Sequence, residues 1–183
     1  MHNKTIEYYN LNTKEFVDRT LSRDVSLCRG KFMELLESGM SILDAGCGSG
    51  RDSKIFLENG FLVQAIDASE KMCQVAEDYI GQPVKCMFFE ELDDSEVYDG
   101  VWACASLLHL KKKELPAILA RFHRALKTDG IIYASFRFGN AQEERTGRFF
   151  SDYTLEELES VFSQNGLFKV IEAYETEDSR PGH

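Results

Sequence analysis

The sequence predicts an α/β fold built on a doubly wound, mostly parallel sheet, and three observations carry that expectation. Short apolar runs alternate with amphipathic segments through residues 39–175. The first run ends in a glycine cluster, Gly46-Cys-Gly-Ser-Gly50. An aspartate, Asp67, closes the second run 21 residues after Gly46. Alternation at this spacing puts helices on both faces of a sheet. Right-handed crossovers then leave the ligand side at the carboxyl ends of the strands.

Each element has its own signal. Two helices, Thr5 to Leu21 and Asp24 to Glu37, are expected ahead of the sheet as a helical lid over residues 1–38. Ser41 to Ala45 reads as the first strand, and Arg51 to Asn59 as a helix stopped by Asn59-Gly60. Phe61 to Asp67 is the second strand. Ser69 caps a helix whose apolar residues Met72, Val75, Ala76, Tyr79 and Ile80 share one face. Val84 to Phe88 and Gly100 to Cys104 are the third and fourth strands. Leu115, Ile118, Leu119, Phe122 and Leu126 mark a helix, and Gly130 to Phe136 a fifth strand. Thr154 with Glu157 forms a capping box for a last helix, and Phe168 to Tyr174 reads as a final strand. Residues 176–183 are expected to be a loose tail. At 183 residues the whole chain, 1–183, reads as one domain.

Composition narrows the function classes. The 31 acidic and 21 basic residues give a net charge of −10, which disfavours a phosphate backbone as partner. No apolar run approaches the ~18–20 residues of a membrane span, and the N-terminal residues lack a signal-peptide core. Five cysteines, at 28, 47, 73, 86 and 104, form no CxxC pair. They read as reduced thiols of a cytoplasmic protein, and no metal is expected.

The glycine cluster decides among nucleotide ligands. Strand, glycine loop and helix together let a ligand approach bare backbone and the unpaired N–H groups of a helix start. A dinucleotide site wants G-x-G-x-x-G, which would need glycine at 51, where Arg51 stands. The pattern present is G-x-G-x-G. Asp67 sits where a carboxylate can accept both ribose hydroxyls of an adenosine.

The run Ile42-Leu-Asp-Ala-Gly-Cys-Gly-Ser-Gly50, with Ala65-Ile-Asp-Ala-Ser69 and Tyr98-Asp-Gly-Val-Trp-Ala103, resembles class I S-adenosylmethionine (SAM)-dependent methyltransferases. More narrowly, Tyr8-Tyr9, Ala103 to His109 and Gly147 to Thr154 resemble the small bacterial tellurite-resistance-like group. The resemblance implies a Rossmann-like methyltransferase fold with SAM as methyl donor and S-adenosylhomocysteine as product. It implies that Gly46, Cys47 and Gly48 line the methionine moiety and that Asp44 lies near its ammonium end. Asp67 would hold the ribose, Ala68 would pack on the adenine, and Phe89 and Glu90 would border the adenine edge. Ala105 and Leu107 would lie beneath the methyl group, and Tyr8 or Tyr9 would close the lid over the cofactor. Phe88 departs from the pattern, standing where relatives often carry an acid. The chain also ends at Gly182-His183, so the seventh, antiparallel strand is expected to be missing. Either the copy is truncated or the sheet edge is completed otherwise, for instance by a partner chain; monomer and homodimer both stay open.

On the acceptor side, His109 could be a general base, a helix cap or a pocket wall. Arg137 and Arg148 could hold an anionic acceptor or offset surface acid. Tyr153, with Phe136, Phe149 and Phe150, could form an apolar lid or core. The expected function is methylation of a small molecule, such as a soft sulfur, selenium or tellurium nucleophile or a small anion. A non-catalytic SAM-binding or partner-binding module is the main alternative, and a nicotinamide oxidoreductase is disfavoured by Arg51.

Overall fold

The computed structural model describes residues 2–176. Five strands, β1 (Ser41–Ala45), β2 (Leu62–Asp67), β3 (Lys85–Cys86), β4 (Tyr98–Ala103) and β5 (Leu126–Ala134), form one all-parallel sheet in the order β3-β2-β1-β4-β5. The order reverses between β1 and β4, and a doubly wound sheet opens its ligand crevice at such a switch point. Around it lie α1 (His2–Leu11), α2 (Thr13–Thr20), α3 (Ser26–Met33), α4 (Arg51–Glu58), α5 (Glu70–Ile80), α6 (Leu115–Ala125) and α7 (Leu155–Ser163). Among the described residues no helix is long and apolar enough to cross a membrane.

Period-two alternation sorts the strand residues onto two faces. Ile42 and Trp102 pack on one side with Phe32 of α3 and Phe56 of α4. Leu43, Ala45, Val101 and Ala103 pack on the other side against Leu115, Ile118, Leu119 and Phe122 of α6. The fully buried Trp102 ring stacks on Tyr133 at 4.1 Å and meets Phe56 at 5.6 Å and Phe32 at 5.2 Å. One large aromatic thus couples β4 and β5 to both helices.

Several boundaries differ from the sequence reading. The expected helix from Thr5 to Leu21 is two helices, broken at Asn12, whose side-chain amide turns back to donate to the Tyr8 carbonyl at 2.8 Å. The helix expected over Asp24 to Glu37 is shortened to α3, and the third strand contracts to β3. Strand β5 begins at Leu126, directly after α6, because the backbone groups after Tyr98 on β4 have no other neighbour on that side.

Two corrections matter for the site. Residues 168–174, read as a strand, are not one: the Phe168 ring packs instead against Phe162 of α7 and His123 of α6, which draws the chain off the β5 edge. The sheet accordingly has five strands among the described residues. An unforeseen antiparallel hairpin, β6 (Gln142–Arg145) with β7 (Arg148–Ser151), follows β5. Its two-residue loop, Thr146-Gly147, has φ of 49° and 80°, the left-handed pair that matches hairpin twist. The expected loose tail, 176–183, lies outside the described residues except for Thr176.

A buried acid fastens the lid to the sheet. Asp52, in the first turn of α4, accepts from Arg51 Nε and Nη2 at 3.0 and 2.7 Å, Arg29 Nη1 at 2.7 Å and Trp102 Nε1 at 3.0 Å. Arg51 Nη1 also donates to the Thr20 carbonyl at the end of α2. Burial by itself would raise the Asp52 pKa, but the Arg51 bonds and charge, with Trp102 and Arg29, hold it below the usual carboxylate range. A depressed carboxyl pKa stabilises above the unfolded value and loses that contribution as pH falls through the folded one. Asp52→Asn, which leaves two buried guanidinium groups short of an anion, should cost about 3–5 kcal/mol at pH 7 in urea unfolding. The deficit should begin to shrink below about pH 4, where the carboxyl protonates in the unfolded chain, and should be gone only once pH falls below the depressed folded-state pKa.

Candidate functional site

The glycine loop leaves β1 at Gly46, whose φ of 81° favours glycine. A Cβ there would lie 2.5 Å from Ser106 Cβ, so the segment after β4 seats directly on the loop. Ser106 Oγ–H donates to the Ala45 carbonyl at 2.7 Å and locks that seating. The Gly46 and Cys47 N–H groups both donate to the Ile66 carbonyl, at 2.9 and 3.0 Å, which ties the loop to β2. Gly50, at φ 77°, serves helix packing: a Cβ would meet Ile80 Cγ2 at 2.9 Å and Ala76 Cβ at 3.2 Å on α5.

Asp67, at the end of β2, is fixed by backbone. Its Oδ2 accepts from Gly48 N–H and its Oδ1 from Ser69 N–H, both at 2.9 Å. Each carboxylate oxygen accommodates a further donor. Burial raises the Asp67 pKa, and the N–H bonds from Ser69, Gly48 and Ala68 only partly counter it. Ser69 caps α5 through the Met72 N–H and donates to Asn10 Oδ1 at 2.7 Å, so α1 is pinned across the loop.

These elements enclose a cavity of about 560 Å³ at the carboxyl ends of the strands, within the ~300–1,000 Å³ range of ligand pockets. Tyr9, Asp44, Gly46, Cys47, Gly48, Asp67, Ala68, Phe89, Glu90, Ala105, His109, Arg137 and Arg148 line it. Three residues singled out in the sequence stand back from its wall. Leu107 is fully buried in the core, Tyr153 packs edge-on against Phe136, and Tyr8 lies against Gly147 and Arg148. The sequence reading missed Phe16, whose ring would come within 3.5 Å of a Cβ on Gly48; Phe136 and Phe150, read as lid or core, both line the cavity. Phe16 looked like one more apolar residue of a lid helix. Only the break at Asn12 swings it over the glycine loop.

Asp44 is the strongest electrostatic feature. It is 2% exposed and accepts from Ser53 Oγ–H at 2.6 Å. Burial, reinforced by the nearby Asp52 charge and eased by Ser53 and Arg51, pushes its pKa up to about 7. Cys47, in the loop itself, is held as a neutral thiol by burial and by the Asp67 and Asp44 charges.

Opposite the loop, His109 Nδ1 lies 2.7 Å from the Phe149 carbonyl and Nε2 2.8 Å from the Tyr9 hydroxyl. A carbonyl can only accept, so Nδ1 carries the hydrogen and Nε2 accepts from Tyr9 O–H. Burial, with Arg148 assisting, lowers the His109 pKa to about 4 against the opposing effect of the Phe149 bond. The ring is neutral at pH 7. Burial also raises the Tyr9 pKa, partly offset by Arg148. The Phe149 N–H in turn donates to Thr5 Oγ1 at 3.0 Å, so α1, the hairpin and the segment after β4 meet at this point.

A buried adenosyl-type loop and acid at a switch point define a nucleotide-cofactor site, and comparison with known proteins narrows the class. Residues 42–130 match a methyltransferase domain. A putative methyltransferase of Geobacillus sp. (strain WCH70) is 35% identical over 98 residues, 50% of this chain and 40% of that protein. The Burkholderia thailandensis 1,6-didemethyltoxoflavin-N1-methyltransferase, solved with 1,6-didemethyltoxoflavin and S-adenosylhomocysteine bound, has a TM-score of 0.72. It is 22% identical, over 87% of this chain and 75% of that one. The [4+2]-cyclase SpnF has a TM-score of 0.62 at 20% identity, over 75% of this chain and 56% of that one. At those identities the structural likeness is one of fold. Residues 42–130, just under half of the chain, are thus similar to a methyltransferase domain, and the fold is that of the solved methyltransferases. The match spans well under half of the Geobacillus protein.

Two measurements check this geometry. In the ligand-free protein, a carboxyl raised to about 7 binds its proton more tightly folded than unfolded. Stability should therefore fall as pH rises from about 4 to about 7, by up to about 4 kcal/mol, and level off above. Asp44→Asn should flatten that decline in urea titrations across the range. Separately, ¹⁵N-detected imidazole spectra should show His109 as the Nδ1–H tautomer, uncharged down to about pH 5. A signal for the Nε2–H tautomer would contradict the Phe149 bond.

Proposed function

We propose that this chain transfers a methyl group from SAM to a small-molecule acceptor. The observation that carries the reading is Asp67, fixed by Gly48 and Ser69 N–H groups at the mouth of a cavity floored by the glycine loop. The residues fit such a cofactor. Asp67 offers two acceptor oxygens to vicinal ribose hydroxyls, and Ala68, Met87, Phe88 and Phe89 supply an apolar wall for an adenine. Asp44 lies at the other end of the loop, where a carboxylate would pair with an ammonium. Tyr9 and Phe16 of the lid shield the space between.

Bound SAM supplies a methyl already activated on a sulfonium. The protein's own task is to orient the acceptor and exclude water, and orientation is worth up to ~7–11 kcal/mol in well-aligned models. Tyr9 O–H and His109 suit a role in taking up an acceptor proton, because the neutral imidazole can receive the Tyr9 hydrogen while Tyr9 receives another. The motif resemblance to the tellurite-resistance-like group supports soft chalcogen nucleophiles as one acceptor class and small anions as another.

A non-catalytic cofactor-binding role is the second reading. It is favoured by the His109 Nε2 lone pair, which Tyr9 already occupies. The likeness to a cyclase also illustrates that this fold alone does not fix the reaction.

Calorimetry with SAM and S-adenosylhomocysteine tests the cofactor. Asp67→Ala should weaken both by about 1–3 kcal/mol, roughly 5- to 150-fold, and unchanged affinity would remove Asp67 from the ribose. Incubation with methyl-labelled SAM and thiols, selenite, tellurite and small carboxylates tests the transfer. Tight SAM binding with no labelled product across the panel would favour the non-catalytic role.

A further inference from the structure

Three arginines lie on or beside the hairpin, and the structure treats one of them differently. Arg145 forms a two-pronged pair with the buried Asp152, and Arg137 Nε lies 3.7 Å from the same carboxylate. Arg148 has no carboxylate partner among the described residues. Its Nη2 donates to Thr146 Oγ1 at 3.1 Å, and its Nε is buried with no hydrogen-bond partner. The guanidinium lies over the Tyr8 ring at 4.5 Å and the Phe150 ring at 5.1 Å, with Tyr9 at 5.8 Å.

A guanidinium keeps its charge at any pH a protein survives, so this cation cannot escape burial by losing a proton. Aromatic faces offset about 0.5–2 kcal/mol of that cost, but they satisfy no N–H. The neighbouring imidazole is neutral, and Arg137 and Arg145, which lie over the same Phe150 ring at 5.6 and 5.9 Å, are both drawn to Asp152. Arg148 therefore brings to the cavity a positive charge with no carboxylate partner among the described residues, next to the Tyr9–His109 pair and opposite the glycine loop.

We propose that Arg148 is the anchor for a carboxylate on the methyl acceptor, and that this acceptor is a planar, aromatic monoanion. One unpaired guanidinium matches one negative charge, and its fork matches the geometry of a carboxylate. A dianion would need Arg137 as well, and Arg137 is committed to Asp152. The planar ring is indicated by the walls: Tyr9, Phe136 and Phe150 line the cavity beyond the residues assigned to the adenine.

The proposal rests on the cavity being a SAM site, and the test separates the two. Wild-type protein is first titrated with S-adenosylhomocysteine; failure to bind would sink the cofactor reading and not reach Arg148. The S-adenosylhomocysteine-loaded protein is then titrated with matched pairs of aromatic acids and their carboxamides, benzoate with benzamide and naphthoate with naphthamide. At least one carboxylate should bind ten-fold or more tightly than its amide. Arg148→Gln should abolish that preference and Arg148→Lys should keep part of it. Thermal unfolding and S-adenosylhomocysteine affinity of each variant report whether the fold survives, and Arg148→Lys serves if Arg148→Gln does not fold. Equal binding of acid and amide by the wild type, or a preference that survives Arg148→Gln, would overturn the assignment.

Discussion

The buried carboxylate of Asp52 is the point on which the arrangement depends. It receives hydrogen bonds from α3 through Arg29, from its own helix through Arg51 and from the sheet through Trp102. A charge this deep is tolerated only when hydrogen-bonded and paired, and here both partners are guanidinium groups. Arg51 extends the network to the end of α2. This centre joins the packing of Phe32 on Trp102 and the Ser69–Asn10 bond in seating the helices that precede the sheet, and Phe16 then lies over Gly48.

The cavity is divided electrostatically. On the loop side lie Asp44 and Asp67, both with pKa values raised by burial, so that side gains from any ligand bringing hydroxyl or ammonium donors. On the hairpin side lie Arg148 and the neutral His109. A cationic cofactor and an anionic acceptor would each meet the complementary half. Between the halves, Tyr9 belongs to both: its ring packs on Phe16 of the lid, and its hydroxyl reaches His109.

The hairpin walls one side of the cavity. It follows β5 and supplies the Phe149 carbonyl to His109, Arg148 to the cavity and Ser151 Oγ–H to the Leu110 carbonyl at 2.7 Å. The five-stranded sheet could host many reactions, as folds of this kind do. What distinguishes this chain is which side chains the hairpin and α1 bring over the switch point.

Much of the core was legible in the sequence because local patterns dictated it. Short apolar runs marked β1 and β4, the capping residues Ser69 and Thr154 marked α5 and α7, and the Gly46–Gly50 spacing with Asp67 pointed to the loop and its acid. Local chemistry was enough there: caps and glycine turns act within a few residues. The hairpin was not legible, since Gln142 to Arg145 lacks alternation and Thr146-Gly147 is a weak turn signal. Nor was the fate of residues 168–174, whose apolar pattern suits a strand equally well but whose Phe168 found its place between α6 and α7. Asp52, Phe16 and the isolation of Arg148 also waited on tertiary structure. The sequence by itself determined the strand–helix alternation from β1 to α6 and the nucleotide-type loop, because these follow from periodicity and backbone conformation. Only the tertiary structure decided which charges are paired and which cation faces the cavity, because pairing joins residues such as Arg29 and Asp52 or Tyr9 and His109 that are distant in the chain.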